Sequence, residues 1–114
     1  WDPNESGWGI NVVQHGSIVF ATLFTYDASG QGKWFVLPRA DLNTAGAYSG
    51  TLYATTGPAF NASPWVAITS TAVGTMTFNF TSGNSGSVVY SVNGVQVTKQ
   101  IQREAFSSPT TQCQ

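Results

Sequence analysis

Charge is what this sequence has least of. Asp, Glu, Lys and Arg make up 8% of it, against about a quarter in an ordinary soluble domain. The four basic residues (Lys33, Arg39, Lys99 and Arg103) form no run, and the net charge is −1. Nucleic-acid binding relies on a basic stripe that neutralises phosphates, so no nucleic-acid partner is expected. No apolar run approaches the ~18 residues of a transmembrane helix, so no membrane span is expected either. Cys113 is the single cysteine; within this chain it forms no disulfide, structural zinc site or redox pair. It reads as a tail thiol, and neither a metal site nor a cofactor is expected. The start at Trp1, with neither Met nor a signal peptide, suggests a processed or excised domain.

Helical periodicity is also missing: no window sustains apolar residues at i, i+3 and i+4, while alternation recurs. The 114 residues, 41% of them hydrophobic, suit one domain with a single core. Ser, Thr, Gly and Asn fill the space left by charge, a mixture that suits extracellular β-proteins. Strands are expected over 8–14, 17–26, 33–38, 47–55, 64–69, 73–80, 86–92 and 95–104. Short turns between sequential hairpins predict an all-β, antiparallel up-and-down meander of seven or eight strands, closed or nearly closed as a small barrel. A two-sheet sandwich is the fallback. The β-domain is expected to span 1–106, with 107–114 as a tail or linker.

Two turns set register. In YSVNGVQV, Asn93-Gly94 marks a type I′ hairpin that pairs Val92 with Val95, Tyr90 with Val97 and Val88 with Lys99. Its apolar face carries Val88, Tyr90, Val92, Val95, Val97 and Ile101. In INVVQHGSIVF the expected loop is His15-Gly16, pairing Gln14 with Ser17 and Val12 with Val19. Trp8, Ile10, Val12, Val19, Ala21 and Leu23 then share a face. The opposite face, with Val13, Ile18, Phe20 and Phe24, is also largely apolar, so this hairpin is expected to be covered on both sides. GTMTFNFTSG alternates cleanly, with Met76, Phe78 and Phe80 on one face. TYDASGQGKWF and NFTSGNSGSVV share a hairpin pattern, and ATTGPAFNASPW over 54–65 is expected to wrap the sheet edge, anchored by Phe60 and Trp65.

Few residues point to chemistry. Glu5, close to Trp8, is a candidate general acid if desolvated by indoles. Glycoside cleavage wants a second carboxylate at a set separation, and Asp2, Asp27 and Asp41 are available only by elimination. The alternative favoured here is a Glu5 that accepts backbone N–H bonds and ties down the lead-in to the first strand. His15, the sole histidine, reads as a turn residue. GNSGS at 83–87 resembles a protease nucleophile loop only in passing and reads as a turn. DASGQG lacks the later bidentate acid of a calcium loop. Asn61-Ala62-Ser63 and Asn79-Phe80-Thr81 match the short glycosylation pattern. The aromatics are more informative, because Trp1, Trp8, Trp34 and Trp65 each fall at a strand start or flank, where an exposed indole can stack on a sugar ring.

The segments W-D-P-N-E-S-G-W-G-I-N, F-A-T-L-F-T-Y-D-A-S-G, W-F-V-L-P and Y-S-G-T-L-Y-A-T-T-G-P-A-F-N-A resemble a module common in predicted secreted bacterial proteins. So do V-G-T-M-T-F, Y-S-V-N-G-V and K-Q-I-Q-R-E-A-F, and the resemblance covers essentially the whole chain. It implies an exported module, secreted or periplasmic, often repeated or appended to other extracellular domains. It also implies that Cys113 pairs outside this segment, and it supplies no catalytic residues. Leu23 is a small departure from the usual aromatic or polar residue.

The function expected is a non-catalytic extracellular binding module for glycans or another small ligand. Trp1, Glu5, Trp8, Asn11, Tyr26, Asp27 and Trp34 are its candidate site, with Trp8 and Trp34 stacking and Glu5, Asn11 and Asp27 supplying hydrogen bonds. The alternative is an assembly domain that packs Ile18, Phe20 and Phe24 against a copy of itself or a neighbouring domain. A hydrolase using Glu5 or Asp27, or a secreted enzyme inhibitor, ranks below both.

Overall fold

A computed structural model describes residues 1–106 and 108. Apart from Ser108, the expected tail with Cys113 lies outside the described residues. Seven strands follow one another: β1 (Gly9–His15), β2 (Ile18–Tyr26), β3 (Gly32–Leu42), β4 (Tyr48–Thr56), β5 (Thr69–Phe80), β6 (Ser85–Val92) and β7 (Val95–Gln102). Each pairs antiparallel with the next in a single sheet that curls into a half-barrel. The meander is as expected, and with all strands in one sheet the sandwich is excluded. Among the described residues no helix is long and apolar enough to cross a membrane.

The core lies on the concave face. Val19, Ala21 and Leu23 of β2 meet Phe35, Leu37 and Ala40 of β3, Leu52 of β4, Met76 and Phe78 of β5 and Val88 of β6. Trp8, Ile10, Tyr90, Val92 and Ile101 pack around this cluster half-buried. Val12 and Val95, expected on buried faces, are 39% and 66% exposed, because the outer strands of a half-barrel have nothing opposite them. Phe80 stacks on Phe78 with ring centroids 5.4 Å apart, and meets Tyr48 edge-on.

The Asn93-Gly94 hairpin has the expected register, Val92 opposite Val95 and Val88 opposite Lys99. Asn93 and Gly94 both adopt positive φ (49° and 84°), as a type I′ turn requires. The first hairpin differs: its loop is Gly16-Ser17, and His15 is the last residue of β1, opposite Ile18. Gly16 alone has positive φ (58°), the pattern of a type II′ turn with Gly first. Val12 therefore faces Ala21 instead of Val19. A slip of two residues leaves every side chain on its expected face.

Two strand boundaries also differ. Residues 64–69 are not a strand of their own; Pro58 and Pro64 lack ladder donors, and β5 begins only at Thr69. Phe60 is 93% exposed and Trp65 60%, so neither anchors the connection between β4 and β5. β3 runs past Pro38, where proline demands a bulge in a central strand. The register of β3 shifts there against both β2 and β4. Leu37 and Ala40, three apart, both point into the core, and Pro38 and Arg39 are pushed outward.

The polar loops obey one rule. Asp27 Oδ1 accepts from the N–H groups of Ser29 and Gln31, and Asn43 Oδ1 from those of Ala45 and Ala47. In each, the backbone closes from residue i to i+4, with positive-φ Gly30 or Gly46 at i+3. The Asx side chain imitates a backbone carbonyl and glycine takes the left-handed position. DASGQ thus matches NTAGA, a likeness closer than the expected one with the β5–β6 loop. That loop, residues 81–84, is held by hydroxyls of Thr81, Ser82 and Ser85.

Candidate functional site

The expected site residues fall into three places. Trp1, Glu5 and Trp8 belong to the lead-in, residues 1–8, which runs beside β7. Trp1 and Gln102 exchange reciprocal N–H···O bonds of 3.0 and 2.9 Å. Farther along, Trp8 Nε1 donates to Glu5 Oε2 (3.0 Å), the Lys99 ammonium donates to the same oxygen, and that ammonium sits 5.5 Å from the Trp8 ring centroid. Lys99 is aimed there because it occupies an inward position of β7, opposite Val88.

This latch corrects two expectations. The hydrogen bond from Lys99, then that from Trp8, hold the Glu5 carboxyl below its ordinary pKa, the reverse of what a general acid needs. Glu5 does tie the lead-in down, but through side-chain donors and not backbone N–H groups. Trp1 and Trp8 are both half-buried, and the Trp8 ring is engaged in the latch with Lys99. The Trp1 indole N–H is buried and has no partner among the described residues.

Asp27 forms the second place. Its carboxylate is occupied by its own loop, including the Ser29 hydroxyl at 2.6 Å, and the Ser29 and Gln31 bonds lower its pKa. It organises the β2–β3 turn and faces no common site with Glu5. Among the described residues no three His, Cys, Asp or Glu side chains gather to hold a metal.

The third place is the convex face of β1–β3, where the structure assembles an aromatic platform. Phe24 faces Trp34 across the β2–β3 ladder, Asn11 faces Thr22, and Tyr26 faces Gly32. Phe24, Trp34 and Tyr26 are 48%, 49% and 57% exposed. Tyr26 lies along the backbone of Gly7, whose φ is 101°. Phe20 and Val13 extend the apolar surface, while Ile18 is half-buried beside the first turn. The interior of the half-barrel covers one side of β2; the cover expected on the other side is not supplied by any of the described residues.

Two glycines of this platform are given no role by the sequence, Gly9 opposite Phe24 and Gly32 opposite Tyr26. Neither has positive φ, and a Cβ on either would meet nothing within 4 Å. Both stand at the first position of their strands, and no packing among the described residues demands a glycine at either. A glycine beside exposed rings leaves the sheet surface there open to close approach by a ligand or another backbone. Their signal was two glycines bordering aromatic strands. The sequence also assigned no role to Lys99, one charge in an apolar face, and did not bring Arg39 and Asp41 together in a polar cleft. Comparison of the chain with protein families, curated proteins and solved structures finds no match.

Proposed function

We propose that this protein is a non-catalytic, exported binding module whose convex platform of Phe24, Tyr26 and Trp34 stacks on sugar rings. The observation that carries the reading is the combination of half-exposed aromatic rings with unforced glycines beside them. Flat apolar rings at the surface, bordered by backbone without side chains, leave room for a planar ligand to lie against the sheet. Asn11 and Thr22, on the same face, add polar groups for orientation. The separate engagement of Glu5 and Asp27 in their own local contacts supports a binding role over a hydrolytic one. Export rests on the neutral, hydroxyl-rich composition and on the resemblance to secreted modules.

On a broad glycan array the folded domain should bind a subset of ligands. Trp34→Ala should retain its fold by circular dichroism and lose at least about tenfold in affinity, as truncating a central aromatic contact does. Silence of the wild-type domain across the array would sink the reading. A second reading, self-association through the same face, is favoured by the exposure of Val13 and Phe20 alongside the platform.

A further inference from the structure

The convex face carries a polar feature that the platform leaves unused. Along β1–β6 the only charged residues are Lys33, Arg39 and Asp41. Lys33 turns toward the core, with its ammonium 5.7 Å from the Phe35 ring centroid. Arg39 and Asp41 are thus the only charges on the outer surface of these six strands, and the bulge at Pro38 puts them there. Arg39 grips Asp41 through both Nε and Nη2, at 2.7–3.0 Å. The side chains are 64% and 57% exposed, and pairs this open add little stability. What the fork does is hold a planar donor and a planar acceptor in fixed relation.

Tyr53, Thr51 and Ser70 complete an open cleft of about 380 Å³ beside the pair, a volume within the range of small-ligand sites. Arg39 Nη1 makes no hydrogen bond among the described residues, and the Asp41 carboxylate has lone pairs to spare. Adjacent sugar hydroxyls both donate and accept, so a fixed guanidinium and carboxylate match them together, while a neighbouring ring takes the C–H face. The cleft is also continuous with the platform. Tyr53 faces Val36, and Trp34 lies two residues before Val36 on the same side of β3. Strand geometry puts Trp34 and Tyr53 roughly 8 Å apart.

We propose that the cleft formed by Arg39, Asp41, Thr51, Tyr53 and Ser70 is a second subsite for a neutral oligosaccharide whose other end stacks on Trp34 and Phe24. The assignment rests on the glycan reading of the platform. Neutrality follows from the pair itself, since each charge cancels the other and none is left for an acidic sugar.

Calorimetric titration of the intact protein with gluco-, manno- and xylo-oligosaccharides of increasing length tests it, with an oligogalacturonate series as the acidic comparison. Wild-type affinity should rise with chain length for a neutral series. The double variant Arg39→Gln/Asp41→Asn should keep the binding of short chains and lose the gain from longer ones, about tenfold or more. Tyr53→Ala, made on the neighbouring strand, should show the same loss and serves if the double variant folds poorly. Trp34→Ala should weaken short and long chains alike. Unchanged length dependence in both cleft variants overturns the subsite and leaves the platform standing. Absence of binding to any oligosaccharide overturns the platform reading and the subsite with it. Preference for the acidic series overturns the neutral ligand class.

Discussion

Glu5 receives two donors on one carboxylate oxygen, and this decides which way its proton equilibrium moves. The hydrogen bonds from Lys99 and Trp8 lower the folded pKa from the ordinary value of 4.5. The ionised form therefore adds stability above the unfolded pKa, and that contribution is lost as pH falls through the lowered folded value. Asp27 and Asp41 move the same way, held by Ser29 and Gln31 and by Arg39 respectively. Lys99 moves oppositely: bonded to Glu5, its pKa is raised, and its contribution fades as pH rises through that value. Glu5→Gln should melt at a lower temperature than wild type near neutral pH, and the difference should shrink in acid. Thermal denaturation from neutral to strongly acid pH measures this; a difference that stays constant across the range would rule the latch out. The effect should also weaken in salt, because the pair is partly exposed.

At the scale of the strand, glycines separate packing from recognition. A Cβ at Gly50 would collide with the Arg39 carbonyl, and one at Gly74 with the Ser91 carbonyl. Gly50→Ala or Gly74→Ala should destabilise the fold by about 1–3 kcal/mol or more, as overpacking does. Gly9→Ala and Gly32→Ala meet open space and should be neutral or stabilising by about 0.5–1 kcal/mol, yet weaken glycan binding. Denaturant unfolding and titration of the four variants check both halves. Substitutions at Gly9 or Gly32 that destabilise as much as one at Gly50 would show that packing, not a ligand, accounts for them. The elements themselves were unevenly legible. Asn93-Gly94 specified its hairpin because few residues tolerate two successive positive φ angles. The loop expected at His15-Gly16 is Gly16-Ser17 instead, because only pairing along the strands chooses between the two. Pro38 looked like a strand end, because whether a bulge can absorb a proline depends on the neighbours on either side.

The whole molecule is a sheet with one filled face and one open face. The lead-in runs along β7, pinned by Trp1 at Gln102 and by Glu5 at Lys99. The convex apolar surface of Val13, Phe20, Phe24 and Trp34 has no cover among the described residues. If self-association uses this surface, sedimentation should show reversible dimers that Phe20→Ser abolishes, with little response to salt because the surface holds few charges. A strictly monomeric protein up to millimolar concentration would leave the ligand reading alone. Alternation, turn chemistry and the lack of helical period determined by themselves that the chain is an antiparallel meander, and which side chains share a face. These are local properties, set by a two-residue period and by the φ demands of a few residues. Tertiary structure alone decided how the faces are used. Curling buried one face and left the other exposed, and it set Glu5 against a lysine 94 residues away. It also moved Arg39 outward beside Asp41. The opening stretch WDPNESGW became a latch for that reason: its partners are distant in the chain, and only the curvature of the sheet brings them together.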